Sequence, residues 1–377
     1  MITPPRTAGA VTRRRASLAA AVTAGGAMLL SAAPAFGAGT GSGATFPALV
    51  YRDWCQTVGC SYTAKGSTGG INDFIAGTVD FAGSDAVMTD AQVASLAQRR
   101  GGVRPIYLPT LLGAISVPTN TPAGRLRLDG KVLGEIFSGG ITRWNDSRIT
   151  RLNRGKRLPN AAITVCVRAD GSGTSFGFSN YLAKVSPGYR SKVGGASQQP
   201  NWTAPVLVRQ PGNPGVAQCI KDNANSIGYV DLGDAANAGL TGSVASIGKF
   251  ERITVTVRRG NRRVTRVRTR EAFTLPSPRT IALAGNVRRF DLANPFKLQF
   301  DLVNSSAPGA YPITITTFIL AYSDYSQAGK AGSLGDVRAF LNHAYGPGQR
   351  TLGRFGFAPL PAPMLRAARA QAAALQR

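Results

Sequence analysis

Histidine, cysteine and acidic residues are scarce in this chain of 377 residues, which has one histidine, four cysteines and 18 acidic residues. Zinc sites need clustered cysteines and histidines, usually with a CxxC half-site, and no such half-site is present. No later segment offers the roughly eighteen consecutive apolar residues of a membrane-spanning helix. The sequence therefore predicts no metal site, no cofactor and no membrane span in the mature chain.

The first 35 residues have the pattern of a secretory signal peptide. Three arginines at positions 13–15 precede an apolar run over residues 18–30, and A-P-A at 33–35 is a small-residue cleavage pattern. We therefore expect residues 1–35 to be removed and the mature protein to lie outside the cytoplasm, in the periplasm or cell envelope. The T-R-R-R-A-S-L stretch leaves two export routes open, the general secretory route and the twin-arginine route.

Residues 165–176 (V-C-V-R-A-D-G-S-G-T-S-F) predict a strand, a tight turn and a helix start. Backbone N–H groups in the first turn of a helix lack partners and carry the positive end of the helix dipole, so they can bind an anion. Arg168 adds a charged fork for the oxygens of that anion. Alternatively, Ser172 only caps the helix and Arg168 is a solvated charge. The residues expected to offer donors are Gly171, Ser172, Gly173 and Thr174.

Two earlier stretches repeat this combination of a turn and a helix start. Residues 43–54 (G-A-T-F-P-A-L-V-Y-R-D-W) and residues 66–85 (G-S-T-G-G-I-N-D-F-I-A-G-T-V-D-F-A-G-S-D) each pair a small or hydroxyl-rich turn with an apolar segment at helical spacing. Three such turns in one chain predict a single anion held by converging helix N-termini.

Together these stretches resemble the extracytoplasmic phosphate-binding proteins that deliver phosphate to ABC-type importers. The resemblance continues through N-P-G-V-A-Q-C-I and N-S-I-G-Y-V-D near residues 213–231, Y-P-I-T-I-T-T-F-I-L from Tyr311 and F-G-F-A-P-L-P from Phe355. It implies that Asp170 braces Arg168. The phosphate-binding positions that it implies are Thr45, Phe46, Ser67, Asp85, Arg168, Ser172, Gly173 and Thr174.

The resemblance also implies an architecture and a function. The expected fold is α/β, a two-domain periplasmic-binding-protein fold with a hinge of crossing strands and a ligand cleft between the domains. Domain I would comprise residues 36–110 and 311–377, and domain II residues 111–310 with a basic insertion at about 245–295. The expected partners are inorganic phosphate and the membrane permease of the importer, for a monomeric protein that is not an enzyme.

Four cysteines allow three disulfide pairings, and two or more free buried thiols are the alternative. An exported protein can keep disulfides. Closeness in sequence favours Cys55 with Cys60. The resemblance places Cys166 and Cys219 in the same domain, which implies the second pair.

Short apolar runs alternate with helical ones over residues 39–110, which predicts an α/β layer with a mostly parallel sheet. The expected elements here are a helix containing Trp54, a strand before Ser67, a helix over 71–76 and a strand ending at Phe81. Later we expect strands over 108–117 and 313–322, core positions for Phe137 and Trp144, a helix over 334–345 and an alanine-rich helix after Pro363.

Residues 253–270 (I-T-V-T-V-R-R-G-N-R-R-V-T-R-V-R-T-R) predict a hairpin around a Gly-Asn turn. The chain carries 44 lysines and arginines against its 18 acids, a formal charge of +26, and this segment is its densest basic stretch. Such a field attracts anionic surfaces. Nucleic acid is one alternative partner, but no nucleic-acid module is recognised, and we expect no specific nucleic acid. An acidic envelope or wall polymer is the preferred explanation.

Two further alternatives concern the chemistry of the site. G-T-S-F-G at 173–177 fits the G-x-S-x-G pattern of a serine esterase, with Ser175 as nucleophile and His343 downstream. A different oxyanion such as sulfate would keep the fold and change the ligand. Asp85 separates phosphate from sulfate, because a carboxylate repels an anion unless the ligand brings its own proton. The alternative for Asp85 is an ordinary helix cap before Thr89.

Overall fold

Short strands and helices alternate along the N-terminal third of the chain. The computed structural model describes residues 39–259, 262–286 and 290–377. The predicted helix around Trp54 and the predicted strand before Ser67 are both present. The elements are β1 (Thr40–Gly43), α1 (Ala48–Val58), β2 (Ser61–Ala64), α2 (Ser67–Ala76), β3 (Phe81–Ser84), α3 (Asp90–Arg99), β4 (Pro105–Ser116), β5 (Thr119–Asn120) and β6 (Arg127–Asp129).

The middle of the chain builds a second α/β layer. Its sheet has the order β5-β9-β7-β8, with β7 parallel to both neighbours. Phe137 and Trp144 are fully buried, as predicted. The elements are α4 (Gly130–Phe137), α5 (Ser147–Leu152), β7 (Thr164–Arg168), α6 (Gly173–Val185), α7 (Pro187–Lys192), β8 (Leu207–Gln210), α8 (Gly212–Asp222), β9 (Ser226–Gly228), β10 (Val230–Asp231) and α9 (Leu232–Asn237).

The C-terminal third contains the predicted hairpin and the predicted helix over 334–345. The hairpin strands pair antiparallel from Ile247 opposite Thr274 to Arg259 opposite Arg262, so the hairpin is longer than the segment 253–270. It joins β6 in a third sheet, of order β12-β11-β6. The elements are β11 (Ser246–Arg259), β12 (Arg262–Thr274), α10 (Pro278–Ala284), α11 (Pro295–Leu302), β13 (Thr314–Tyr322), α12 (Leu334–Tyr345), α13 (Pro347–Thr351) and α14 (Ala362–Ala373).

The first sheet is mixed, which corrects the prediction of a mostly parallel sheet. Its order is β10-β4-β13-β3-β1-β2. Strands β1, β2 and β3 are parallel, but β13 is antiparallel to both β3 and β4, and β10 is antiparallel to β4. The parallel part is local in sequence, whereas β13 arrives from a distant segment. The alternation over residues 39–110 therefore carried no signal for the antiparallel half.

The third strand begins at Phe81, where the sequence predicted that it would end. Residues 78–80 are a connection after the left-handed Gly77 that ends α2. Asp80 accepts hydrogen bonds from the backbone N–H and the hydroxyl of Thr40, at 2.7 and 2.9 Å, and so fastens this connection to β1. Val79 is buried although it lies outside a strand. Its apolar side chain is therefore the reason that the sequence predicted a strand before Phe81.

Strands β4 and β13 run side by side through the first sheet, and β4 continues to Ser116 beyond the predicted domain boundary at residue 110. The division into residues 36–110 with 311–377 and residues 111–310 stays a prediction. The predicted signal peptide, residues 1–35, lies outside the described residues. Within the described ranges no helix combines the length and the apolarity needed to cross a membrane.

Two disulfides confirm both predicted pairs, Cys55 with Cys60 and Cys166 with Cys219. The second pair joins β7 to α8 across 53 residues, whereas the first closes a separation of 5 residues. Because chain entropy lost by the unfolded state grows with the closed loop, the longer bond contributes more to stability.

We expect the double variant Cys166→Ala with Cys219→Ala to lower the free energy of unfolding by about 2–4 kcal/mol. The matched variant Cys55→Ala with Cys60→Ala should cost roughly half as much, because its loop is shorter. Denaturant unfolding of both variants measures the difference. Alkylation of Cys166 and Cys219 as free thiols in non-reducing peptide mapping would contradict the pairing.

Candidate functional site

Two of the predicted turns meet at the hydroxyl of Ser67, the first residue of α2. Its Oγ accepts hydrogen bonds from the backbone N–H of Gly173 at 3.1 Å and from that of Asp85 at 3.2 Å. The hydroxyl proton remains available to donate to another group. Glycine is required at position 173, since a Cβ there would lie 2.4 Å from Ser67 Oγ and 2.6 Å from Asp85 Cβ. The start of α6 is thus held directly against the start of α2.

The guanidinium of Arg168 lies buried at the end of β7, with the residue only 4% exposed. It donates through Nε to Asp170 Oδ1 at 2.8 Å and through Nη2 to Asp170 Oδ2. Its Nη1 donates to Asn213 Oδ1 at 2.8 Å. Burial raises the pKa of Asp170, but the hydrogen bonds and charge of Arg168 outweigh this and hold that pKa below its ordinary value. Asp170 therefore stays ionised and orients the arginine.

The carboxyl of Asp85 is buried, and its Oδ1 has no hydrogen-bond partner among the described residues. The hydroxyl of Thr174, one residue into α6, is likewise buried and unpartnered. Buried polar atoms are nearly always paired in folded proteins, so two unpaired ones beside converging helix starts point to a ligand. Burial raises the pKa of Asp85 to about 7, and the neighbouring hydroxyl of Thr317, followed by the charge of Arg168, opposes that rise.

In the ligand-free protein, we expect Asp85→Asn to increase the free energy of unfolding, by an amount that grows between about pH 4 and pH 7. The unfolded carboxyl ionises near pH 4, whereas the folded one keeps its proton until about pH 7. The contribution of Asp85 to the free energy of unfolding is therefore highest below pH 4. It falls by on the order of 4 kcal/mol in total as the pH rises to about 7. Denaturant unfolding of parent and variant across this range measures it, and a pH-independent difference would contradict the raised pKa.

Thr45 and Phe46 lie in the connection from β1 to α1. Thr45 Oγ1 accepts a hydrogen bond from the backbone N–H of Asn213 at 3.3 Å, which joins the third predicted turn to the start of α8. Phe46 is buried and packs edge to face on Phe357, with ring centroids 5.4 Å apart. Its backbone N–H, and not its ring, is the group available to an anion.

Ser172 caps α6, since its Oγ accepts from the backbone N–H of Ser175 at 3.1 Å. Capping and ligand binding are compatible, because the hydroxyl proton is still free to be donated. Beside this region a cleft of about 460 Å³ opens, with Thr45, Asp170 and Gly212 in its wall. Of the eight predicted phosphate-binding residues, Thr45 lines this cleft.

The comparisons with known proteins identify the family of the chain. The PBP superfamily domain matches residues 30–342. The phosphate-binding protein PstS of Haemophilus influenzae is 32% identical over 344 residues, covering 88% of this chain and 91% of that protein. The chain belongs to the PstS family. The phosphate-binding protein PstS 3 of Mycobacterium tuberculosis is 32% identical over 316 residues, covering 83% of this chain and 78% of that protein.

Solved structures confirm the predicted fold class of this PstS-family chain, α/β with the two-domain binding-protein architecture. A phosphate-binding protein from Stenotrophomonas maltophilia has a TM-score of 0.64 at 21% identity, covering 88% of this chain and 93% of that one. A periplasmic phosphate-binding protein solved with bound phosphate has a TM-score of 0.66 at 22% identity, with the same coverage. At this identity the likeness supports the fold alone.

Sequence reasoning assigned no role to Asn213 and Asp231, although both lie in segments that resemble the PstS family. Asn213 is fully buried, and it accepts from Arg168 and donates through Nδ2 to Asp231 Oδ2 at 2.9 Å. Asp231 caps α9 by accepting from the backbone N–H of Asp234 at 2.9 Å. Burial, followed by the charge of Asp231, raises the pKa of Asp234 to about 9. The position of Asn213 at a helix start was the one sequence feature that could have indicated these contacts.

The esterase alternative finds no support in the arrangement of its residues. Ser175 is buried, and its hydroxyl hydrogen-bonds to that of Tyr229 at 2.6 Å. His343 lies on α12, where its ring packs against Trp54 with centroids 6.1 Å apart. Burial lowers the pKa of His343. The two residues therefore have different partners on separate elements and form no nucleophile and base pair.

Proposed function

We propose that this chain binds inorganic phosphate outside the cytoplasm and delivers it to the membrane permease of an ABC-type importer. The observation that carries the proposal is the pair of buried, unpartnered oxygens, Asp85 Oδ1 and Thr174 Oγ1, beside the converging starts of α2 and α6. Phosphate suits this pair because it both accepts and donates. Its P–OH can donate to Asp85 while its other oxygens accept from Thr174 and from backbone N–H groups.

The proposed site uses all eight phosphate-binding positions that the family resemblance implied. Arg168, held by Asp170, supplies the positive charge, and hydroxyl and backbone donors supply directional hydrogen bonds. Desolvation in the buried site strengthens each of these contacts relative to water. The proposed phosphate-binding set is Thr45, Phe46, Ser67, Asp85, Arg168, Ser172, Gly173 and Thr174.

We further propose that phosphate binding closes the protein. Residues 36–110 with 311–377 and residues 111–310 act as two domains, and the anion contacts both. Ser67 and Asp85 belong to the first set of residues, and Arg168 and Thr174 to the second. A ligand that contacts both domains favours the closed form by its differential affinity for it. The closed form then docks on the permease.

The protein acts by reversible binding and performs no catalysis. Support for this comes from the relatives, whose names describe phosphate binding, and from the separation of Ser175 from His343. A phosphate-ester assay on the purified protein should show no turnover.

Calorimetric titration of ligand-stripped protein with phosphate, arsenate and sulfate tests the proposal. At pH 8.5, where Asp85 is ionised, we expect one site per chain that binds phosphate and arsenate and rejects sulfate, because sulfate brings no proton to Asp85. Preference for sulfate, or absence of any anion binding, would overturn the assignment.

A further inference from the structure

A basic cleft lies away from the proposed phosphate site, next to α5 and β6. Its volume is about 740 Å³, larger than the cleft beside the phosphate site. All five of its charged lining residues are cationic and exposed. A single exposed cation on a protein surface does not indicate a binding site, but five cations in one concavity create a field that concentrates anions. These cations are Arg125, Arg127, Arg151, Arg154 and Lys156.

The hairpin of β11 and β12 forms a second basic surface, called here the basic ribbon. Apart from Glu251, which is buried and bound to the backbone N–H of Gly309 at 2.7 Å, Glu271 is the one acid in these two strands. Among the ribbon arginines whose side chains are described, Arg270 is the one with an acidic partner within 4 Å, Glu251. The exposed arginines are Arg252, Arg258, Arg263, Arg266, Arg268 and Arg270.

The register of the ribbon places like charges together. Arg258 and Arg263 are direct cross-strand partners, an arrangement that destabilises a hairpin unless an anion lies between the two. On β12, Arg266, Arg268 and Arg270 are spaced at about 7 Å along one face, and Arg263 lies on the opposite face together with Phe273. Nothing in the fold of the described residues explains this concentration of charge.

The basic cleft and the basic ribbon are continuous through the third sheet. Arg127 on β6 pairs with Ser246 at the start of β11, and both line the cleft. The guanidinium of Arg127 lies over the ring of Phe273 near the end of β12, 5.4 Å from its centroid. The cleft thus opens at the base of the ribbon, on the face that carries Arg252, Arg258 and Arg263, so one extended ligand can contact the cleft and these arginines.

We propose that the basic cleft and the basic ribbon together bind a linear polyol-phosphate polymer. A chain polymer can enter a cleft and follow a ribbon, whereas a flat bilayer surface cannot enter the concavity. Arginine forks match phosphate oxygens, and the five cations of the cleft together with Arg252, Arg258 and Arg263 on the same side of the ribbon supply repeated contacts along such a chain. Single-stranded nucleic acid stacks successive bases on several aromatic platforms, but Phe273 is covered by Arg127 and, on this side of the described ribbon, Phe250 is the one strongly exposed ring.

The test is fluorescence anisotropy of a labelled poly(glycerol phosphate) chain with the full mature protein, at 50 and 150 mM salt. The test variant combines Arg154→Gln, Arg258→Gln and Arg263→Gln. We expect it to bind at least tenfold more weakly than the parent. The slope of log affinity against log salt should fall by about two, as for three lost phosphate contacts on a flexible chain. This proposal does not depend on the proposed function, and phosphate affinity by calorimetry should be unchanged.

A matched control carries the same change of charge elsewhere. Arg99, Arg350 and Arg366 are exposed and lie on α3, α13 and α14, away from the ribbon. Replacing these three with glutamine should change polymer affinity by less than twofold. Equal loss in the control would show that binding is diffuse and overturn the proposal, and so would absence of parent binding at 150 mM salt. Tighter binding of a single-stranded DNA or of anionic lipid vesicles than of the polymer would overturn the choice of partner.

Discussion

Arg168→Ala is expected to weaken phosphate binding at least tenfold, and by on the order of 2–5 kcal/mol. Arg168 is buried and supplies the positive charge of the proposed site. Its removal also leaves the carboxylate of Asp170 and the amide oxygen of Asn213 without their donor. The unpaired negative charge of Asp170 then repels phosphate, in addition to the loss of the attraction from Arg168. Calorimetric titration with phosphate measures the change.

Arg209→Ala is the matched control, because Arg209 is an exposed arginine on β8, paired with Val167 immediately beside Arg168. It removes the same charge from the adjacent strand and should leave phosphate affinity within about twofold of the parent. Arg168→Lys should be intermediate, since an ammonium keeps the charge but loses the planar fork. Unchanged affinity in Arg168→Ala, with thermal unfolding showing an intact fold, would mean that this arginine does not contact the ligand.

Asp85→Asn is expected to lower the ratio of phosphate to sulfate affinity at least tenfold. In the parent at pH 8.5, above the pKa of Asp85, the ionised carboxylate accepts a hydrogen bond from the P–OH of phosphate, whereas sulfate sets its lone pairs against the carboxylate. A site that leaves buried polar groups unpaired rejects a near-isosteric competitor by several kcal/mol. An asparagine amide can donate to either anion and so removes the basis for rejection. Titration of parent and variant with both anions gives the ratio.

The pH provides an internal check on Asp85. Because burial raises its pKa to about 7, the parent should bind sulfate better as the pH falls below 7, when the protonated carboxyl can donate. Asp85→Asn should lose this dependence. Arsenate, which is protonated like phosphate, should follow phosphate throughout. If the variant keeps the parent's preference for phosphate over sulfate, Asp85 is not the selector.

Local patterns predicted the elements whose signal lies within one segment. The helix over 334–345 has the predicted bounds, and the two strands of the hairpin pair as predicted, because apolar periodicity acts over a few positions. The predicted Gly-Asn turn at 260–261 lies outside the described residues. The direction of β13 relative to β3 and β4 is set by contacts between segments more than two hundred residues apart. No local pattern encodes that pairing, so the mixed sheet was missed.

The same distinction holds for the candidate site. Arg168 and Asp170 are two residues apart in one motif, and the family resemblance of that motif implied their contact. Asn213 approaches Arg168 from 45 positions away, and only the parallel pairing of β7 with β8 brings α8 to it. The raised pKa of Asp85 was equally hidden, since it depends on burial that the fold creates. Contacts within one motif were predictable from the sequence, whereas contacts between distant motifs were not.

A crystal structure of the mature protein with phosphate at neutral pH tests the central claim most directly. We predict one phosphate between the starts of α2 and α6, with an oxygen within hydrogen-bond distance of Asp85 Oδ1, another at Thr174 Oγ1, and others at the backbone N–H groups of Phe46 and Gly173. Arg168 should contact the anion while keeping its hydrogen bonds to Asp170. Phosphate bound elsewhere, or bound here without contact to Asp85 and Arg168, would contradict the account.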